Sequence, residues 1–395
     1  MSSSLTQSFT PVEFSVVISM GVISGCIPAL QPLLLGGLLD RGHLNVVQIG
    51  QSATSEALGM VFATTVAAIL LKPNRLKPIT IIALLGALVV NSLTVISSGI
   101  QVVVLRGISG LCSGVLLWVL LGLLSRSASP GRAFAVYVTA QAIASFILSS
   151  LITHWLVDVA GADGGYLIIA FANLVLMAAA LVMPASYTTI ESENRFSRPP
   201  IHGLWALLSI TLLLASILGF WVYIIPIGKS LGYSTDSLNS VISIAIGAQV
   251  IAGLCATALS TALKPFRVFV IGALLIIGSI VLFMTISHPL VLYSSLIVFS
   301  FVWMFVPPFQ LPLLIELDPS LRSAIFIGTA QLSGVAFGPI FAAQIIGVAS
   351  KQMAANSSIV LAMLSIGCLY VASLLHGTAT THVAKTSDSN TPADS

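Results

Sequence analysis

The segment Phe14 to Leu39 reads FSVVISMGVISGCIPALQPLLLGGLL, and no charged residue lies between Glu13 and Asp40. A helix that crosses the hydrocarbon core of a bilayer needs about 20 predominantly apolar residues. No Lys or Arg precedes this run, whereas a cleaved signal peptide begins with a basic region and has a shorter apolar core. The segment therefore predicts a membrane-spanning helix that is retained in the protein.

The composition of the whole chain extends this prediction. Of the 395 residues, 57% are hydrophobic and 7% are charged, whereas soluble domains carry about 25% charged residues. So few charges could not cover a water-exposed surface, which excludes a soluble enzyme, a nucleic-acid-binding protein and a disordered scaffold. The net charge of +3 is too small to indicate a polyanionic partner. The chain is predicted to be an all-α polytopic membrane protein.

Twelve long apolar runs, separated by polar breaks, follow one another along the chain. Each run is long enough for one spanning helix, and an even number of spans places both termini on the same side of the membrane. The predicted spans are 13–39, 47–71, 79–98, 100–123, 134–158, 166–184, 203–228, 238–262, 268–286, 289–314, 323–348 and 357–376.

Basic residues fall unevenly on the two sides of these spans. With the N-terminus inside, the inner segments hold eleven Lys and Arg residues and the outer segments hold three, namely Arg41, Lys229 and Lys351. Basic loops stay on the cytoplasmic side of a membrane, so both termini are predicted to be cytoplasmic, in a cell inner (plasma) membrane. Lys229 ends span seven, and its side chain is expected to reach the lipid headgroups.

Two short strings recur in the two halves of the chain. LKPNR at 71–75 ends span two, and LKPFR at 263–267 ends span eight. The string Thr-Ala-Gln begins seven residues after Arg132 in one half and seven residues after Arg322 in the other. Matches at nearly one offset indicate a duplicated six-helix unit.

The longest polar stretch between spans divides the chain into two such units. The predicted organisation is a cytoplasmic N-terminus at 1–12, an N-terminal six-helix bundle at 13–184, a cytoplasmic central loop at 185–202, a C-terminal six-helix bundle at 203–376 and a disordered cytoplasmic tail at 377–395.

Span four contains Arg106-Gly107-Ile108-Ser109-Gly110, in which a Gly follows the Arg by four residues. This string, the six-plus-six arrangement, the polar central loop and the cytoplasmic termini resemble the major facilitator superfamily over about residues 13–376. The resemblance implies two pseudo-symmetric six-helix bundles that rock about a central site, which is transport by alternating access.

Two features depart from the family's pattern. The family's loop between spans two and three usually reads Gly-x-x-x-Asp-Arg-x-Gly-Arg-Arg, whereas this chain keeps basic residues there and has neither the Gly nor the Asp. The Gly-Pro pair of the family's drug antiporters is missing from span five. Gly-x-x-x-Gly-Pro occurs at 334–339, in span eleven.

Glu56 in span two and Arg106 in span four are the clear cases of ionisable residues inside the predicted hydrocarbon core. A charge there costs about 2.5 kcal/mol or more, so it needs a partner or water. The two residues could form a permanent ion pair. Alternatively, Glu56 could take up and release a proton, with Arg106 setting its affinity, or Arg106 could face an anionic solute.

By the resemblance, spans one, four, seven and ten line the central path. Trp221 and Tyr223 could equally anchor a helix at the membrane interface. Gln141 and Gln331, at equivalent places in spans five and eleven, could bind solute or join neighbouring helices. The candidate solute-binding residues are Arg106, Gln31, Ser113, Trp118, Trp221, Tyr223, Trp303, Gln310, Gln141 and Gln331.

The sequence contains no Walker A string and no clustered metal ligands or nucleophile triad, which excludes an ATP-driven pump and disfavours a membrane-embedded enzyme. No cofactor or metal is expected. The expected function is a secondary active transporter, a monomer that moves a small organic solute, anionic or aromatic, coupled to protons through Glu56. Its partners are the solute, protons and the bilayer, with no nucleic acid. One alternative is an efflux antiporter for hydrophobic drugs or metabolites, and another is a non-transporting receptor or scramblase on the same fold.

Overall fold

The structure is a computed structural model that describes residues 7–156, 164–188, 198–260 and 262–388. Every regular element within these ranges is a helix. Among the described residues, eleven helices are long and apolar enough to cross a membrane, and a bent pair of shorter helices completes a twelfth span. The prediction of a twelve-span, all-helical membrane protein is therefore confirmed.

The first half of the chain begins with a capped helix. The Thr10 side chain accepts a hydrogen bond from the backbone of Glu13, and the Glu13 carboxylate accepts one from the Thr10 backbone, so the helix begins at Pro11. A π-helical turn at Ile152–Leu156 follows the fifth helix. The helices of this half are α1 (Pro11–Asp40), α2 (Val46–Leu70), α3 (Leu76–Ile96), α4 (Ile100–Arg126), α5 (Pro130–Leu151) and α6 (Gly164–Ala179).

The second half repeats the six spans, two of them broken. Its last helix reaches Asp388, so residues 377–388 are helical where a disordered tail was expected. Residues 378–388 contain no Gly or Pro that would end the helix, and residues 389–395 lie outside the described part. The helices are α7 (Ile201–Trp221), α8 (Ile224–Ser230), α9 (Thr235–Leu259), α10 (Pro265–Thr285), α11 (Pro289–Phe305), α12 (Pro307–Leu317), α13 (Ile327–Val348) and α14 (Lys351–Asp388).

Prolines cause both breaks. The predicted span 203–228 divides at Val222 and Tyr223, because Pro226 has no N–H to bond the Val222 carbonyl. The predicted span 289–314 divides in the same way at Pro307, and α11 and α12 meet there at an angle of 46°. Irregular backbone of this kind is tolerated in a membrane protein where other protein groups or a cavity surround it.

Glycines allow two pairs of helices to cross closely. Gly110 of α4 lies directly against the backbone of Glu56 in α2, and a Cβ on Gly110 would come within 3.0 Å of the Glu56 Cα. In the other half, a Cβ on Gly334 of α13 would come within 2.5 Å of the Thr211 carbonyl oxygen in α7. Small residues at such crossings let membrane helices pack backbone to backbone.

The two halves meet along two equivalent pairs of helices, α2 with α13 and α5 with α9. Thr54 donates to the Ala336 carbonyl at 2.9 Å, and the Ser243 hydroxyl donates to the Ser149 carbonyl at 3.2 Å. These contacts lie toward the end of the molecule at which α1 finishes. We call this end the distal side and the end at which α1 begins the terminal side.

An ion pair joins the two halves on the distal side. Lys229, at the end of α8, contacts the Asp40 carboxylate at the end of α1, and both side chains remain about one-third exposed. The expectation that Lys229 extends to the lipid headgroups is therefore wrong for this conformation. Its tertiary partner comes from the other bundle, which the local sequence around Lys229 does not reveal.

We expect Asp40→Asn to weaken the closed arrangement of the distal side modestly. A partly exposed ion pair contributes less than about 1 kcal/mol, which corresponds to a shift of about two- to five-fold between conformations. Pulsed EPR distances between labels at the exposed residues Ser98 and Asp236 would measure this shift. Exchanging the charges, with Asp40→Lys and Lys229→Asp together, should restore the wild-type distances. A distance distribution unchanged in Asp40→Asn would show that this pair does not hold the bundles together.

Candidate functional site

Glu56 and Arg106 form an ion pair inside the N-terminal bundle. The Arg106 Nη1 atom lies 3.3 Å from Glu56 Oε1, and the side chains of Arg106 and Glu56 are 1% and 4% exposed. The close crossing of α2 and α4 at Gly110 brings the two residues together, because it removes the side chain that would hold the helices apart.

Arg106 is surrounded by further polar partners. Its Nη2 atom donates to Thr94 Oγ1 at 2.7 Å and to Asn91 Oδ1 at 3.1 Å, and its Nη1 atom lies 3.5 Å from the Ser109 hydroxyl. The guanidinium carbon also lies 4.7 Å from the centre of the Tyr166 ring. Five groups on four helices therefore hold one cation.

Some hydrogen-bonding capacity in this network is unused. Gln31 of α1 and Ser109 lie within hydrogen-bonding reach of the Glu56 carboxylate. Gln31 Oε1 and Arg106 Nε are buried and have no hydrogen-bond partner in the described part of the chain. Unpaired buried polar atoms are costly, so this network has room for another donor, acceptor or water.

This geometry bears on the three interpretations of Glu56 and Arg106. Arg106 is 1% exposed and fully surrounded, and its guanidinium points into the bundle. It is placed to pair with Glu56 more readily than to meet a solute. A permanent ion pair and a protonation site are both compatible with these contacts.

A cluster of aromatic rings lies where the two bundles meet near their centre. Trp221 is fully buried, and its Nε1 donates to the Ala29 carbonyl of α1 at 3.2 Å. Its ring stacks on Phe299 at 6.2 Å and meets the half-buried Trp303 at 5.4 Å. Trp221 is therefore an inter-bundle contact, and the alternative of anchoring at the membrane interface does not hold for it.

Glutamine side chains join helices within each bundle. Gln331 of α13 donates to the Gln310 side-chain oxygen of α12 at 2.8 Å, and Gln141 of α5 donates to the Gly25 carbonyl of α1 at 2.7 Å. Gln310 Nε2 is buried with no partner among the described residues. The amide pair in the C-terminal bundle therefore keeps one donor free, while both glutamines in the repeated strings connect helices.

Three predicted site residues lie elsewhere. Trp118 lines a cavity on the terminal side, away from the aromatic cluster. Tyr223 is buried in the break of span seven, and its hydroxyl lies against Gly50 of the other bundle, so it is not at the membrane interface. Ser113 is 3% exposed and packed inside the N-terminal bundle.

The sequence reasoning missed three partners of Arg106. Asn91 and Thr94 are buried polar residues on α3, and Tyr166 is a fully buried ring on α6. Asn91 could have been found as a carboxamide inside an otherwise apolar span. Thr and Tyr are common in membrane spans, so the sequence gives no signal for Thr94 or Tyr166.

The fold defines a class of membrane protein: twelve spans in two equivalent six-helix bundles, with polar and aromatic groups between and within them. The chain belongs to the Major Facilitator Superfamily, whose family description matches residues 12–343. It is thus a transporter by family and fold rather than an enzyme.

Comparison with solved structures gives 284 matching chains. One is a crystal structure of a mutant of the nucleoside transporter NupG, with a TM-score of 0.68 and 14% sequence identity, covering 92% of this chain and 99% of that one. At that identity the likeness concerns the fold. No curated protein matches the chain.

Proposed function

We propose that the chain is a proton-coupled symporter for a small, uncharged, planar organic solute, with Glu56 as the proton site. The observation that carries the proposal is the pairing of Glu56 with Arg106 inside the N-terminal bundle. One cation stabilises the charged form of this buried carboxyl. When the carboxyl takes up a proton, that cation loses its counter-charge.

Protonation of Glu56 removes the anion that faces Arg106. The guanidinium then keeps Asn91, Thr94 and Ser109 as partners, while Glu56 becomes a neutral donor that can bond the free oxygen of Gln31. Because Gln31 lies on α1, which contacts α8 and α9 of the other bundle, this change supports coupling between the proton and the arrangement of the two bundles.

The proposed solute site lies beside Trp303 in the C-terminal bundle. Its half-buried ring offers a face for a planar group, and the Gln310–Gln331 pair offers a free amide donor for a carbonyl or ring nitrogen. We favour an uncharged solute because Arg106 is occupied by its own bundle. Nucleosides, the substrates named for the structurally similar transporter, combine a planar base with neutral polar groups. They are therefore the first compounds to test as solutes.

The basic residues support an orientation with both termini in the cytoplasm of a cell bounded by an inner (plasma) membrane. The distal side, with Asp40 and Lys229, then faces outward. In that orientation, the contacts between the bundles on the distal side would close the transporter to the outside.

We expect an added solute of the right class to drive protons into liposomes that contain the purified protein and an internal pH dye. Glu56→Gln should reduce this flux at least about ten-fold, because a neutral amide cannot carry the proton. Glu316→Gln, which neutralises an exposed carboxylate on α12, is the matched control and should retain the flux.

Other outcomes would replace the proposal. Outward proton movement would indicate an exchanger and favour the efflux alternative. Equal fluxes in wild type and Glu56→Gln would show that the Glu56–Arg106 pair is permanent and structural. No response to any compound in a broad panel would favour a receptor or scramblase on this fold.

A further inference from the structure

A cavity of about 250 Å³ opens on the terminal side of the N-terminal bundle, at the ends of α2 and α4. It is separate from the Glu56–Arg106 pair and from the aromatic cluster. Its walls combine a cation, two aromatic rings and small or apolar residues. The lining residues are Ala68, Leu71, Pro73, Trp118, Gly122, Arg126 and Tyr187.

Arg126, the last residue of α4, is held in this cavity by the backbone. Its Nε donates to the Thr188 carbonyl at 2.7 Å, and Nη1 donates to the Gly122 carbonyl at 2.9 Å. The guanidinium carbon lies 5.2 Å from the centre of the Tyr187 ring. These neutral contacts fix the position of the guanidinium without neutralising its charge.

The wall that holds Arg126 is itself well anchored. Tyr187 donates from its backbone to the Pro73 carbonyl at 2.8 Å and from its hydroxyl to the Val119 carbonyl at 2.9 Å. Gln7 donates to the Ser186 carbonyl and accepts from the Thr188 backbone. The start of the central loop is therefore tied to both α4 and the N-terminal segment, so the cavity is a built feature of this bundle.

The cavity continues a lipid-facing stripe of α4. Val104, Ile108 and Leu111 are 55%, 40% and 37% exposed. They lie on the same face of the helix as Trp118 and Gly122, because the successive spacings are four, three, seven and four residues. One edge of this face is closed by Gly107, Gly110 and Gly114, which pack on α2. The cavity therefore lies at the terminal end of this exposed apolar face, with Trp118 deeper in the span and Arg126 at its end.

The charge around the cavity is positive. Lys72 adjoins the lining residues Leu71 and Pro73, and Arg75 follows in the same loop. No carboxylate in the described part of the chain pairs with Arg126. The nearby Glu13 carboxylate accepts hydrogen bonds from the Thr10 backbone and hydroxyl, both at 2.9 Å, and does not pair with Arg126. A fixed guanidinium that has no carboxylate partner among the described residues, beside an apolar groove, fits the phosphate of an amphiphile.

We propose that this cavity binds an anionic phospholipid of the terminal-side leaflet, with the headgroup phosphate on Arg126 and an acyl chain along Trp118 and the exposed stripe of α4. The inference is independent of the transported solute and of proton coupling. A lipid is favoured over a free anion because the cavity lies at the end of the exposed apolar face of α4.

Native mass spectrometry of the purified full chain, with phosphatidylglycerol and phosphatidylcholine of identical acyl chains, tests the proposal. We expect wild type to retain phosphatidylglycerol preferentially and Arg126→Gln to bind it about five-fold more weakly, which corresponds to about 1 kcal/mol for one basic side chain. Arg132→Gln removes an exposed cation from the same side and should leave retention unchanged.

A second variant tests the shape of the cavity with Arg126 in place. Ala68→Trp should fill the groove and lower phosphatidylglycerol retention. This variant still tests the proposal if Arg126→Gln does not fold. Equal retention of the two lipids by wild type would overturn the proposal, as would wild-type retention in Ala68→Trp. Displacement of the lipid by millimolar inorganic phosphate would assign the site to a free anion instead.

Discussion

Arg106→Leu is expected to destabilise the protein by about 3–5 kcal/mol, the usual result of removing one partner from a buried ion pair. The substitution leaves Glu56 buried without a cation and deprives Asn91 and Thr94 of the donor that they share. The residue is 1% exposed, so bulk solvent does not reach the groups that the substitution leaves unpaired. Unfolding of the purified protein by titration with a denaturing detergent would measure the change.

A second substitution separates the free-energy cost of the unpaired charge from the cost of the lost packing. Combining Glu56→Gln with Arg106→Leu removes the orphaned carboxylate, and we expect it to recover about half of the lost stability. Arg132→Leu, at an exposed position, should have little effect. If Arg106→Leu unfolds at the wild-type denaturant concentration, the ion pair contributes nothing to the stability of the bundle.

Gly110→Ala is expected to destabilise the protein by about 3 kcal/mol. Inside an isolated helix the same change stabilises by up to about 1 kcal/mol, because alanine has the higher helix propensity. Here the added Cβ would lie 2.8 Å from the Glu56 carbonyl carbon. Both partners of this contact are helix backbone, which cannot move aside as a side chain would, so α2 and α4 must separate.

The opposite sign is expected at a glycine without close neighbours. A Cβ on Gly278 of α10 would meet no atom within 4 Å, so Gly278→Ala should be neutral or slightly stabilising. The comparison uses the same denaturation assay and the same chemical change at two helical sites. Equal effects at Gly110 and Gly278 would contradict the close crossing of α2 and α4.

Gly110→Ala should also impair transport in protein that still folds. Glu56 and Arg106 are brought together by this crossing, so separating the helices lengthens the distance of 3.3 Å between them. If the proposed coupling holds, solute-driven proton flux in Gly110→Ala should fall together with stability. Loss of stability with full proton flux would show that the coupling tolerates a longer distance.

The sequence by itself was enough to predict the membrane class, the twelve spans, the division into two halves and the presence of Glu56 and Arg106 inside a span. Each of these depends on a strong local signal: long uncharged runs, repeated strings at one offset, or a rare charge in an apolar segment.

Only the tertiary structure decided which side chains meet. Hydropathy does not separate a core-facing residue from a lipid-facing one, because both environments are apolar: Leu120 is fully buried and Leu121 is 42% exposed. The sequence therefore could not place Trp118 in the terminal-side cavity or join Lys229 to Asp40. Nor could it assemble Asn91, Thr94 and Tyr166 around Arg106. These contacts come from helices distant in sequence, and only the packing of the bundles brings them together.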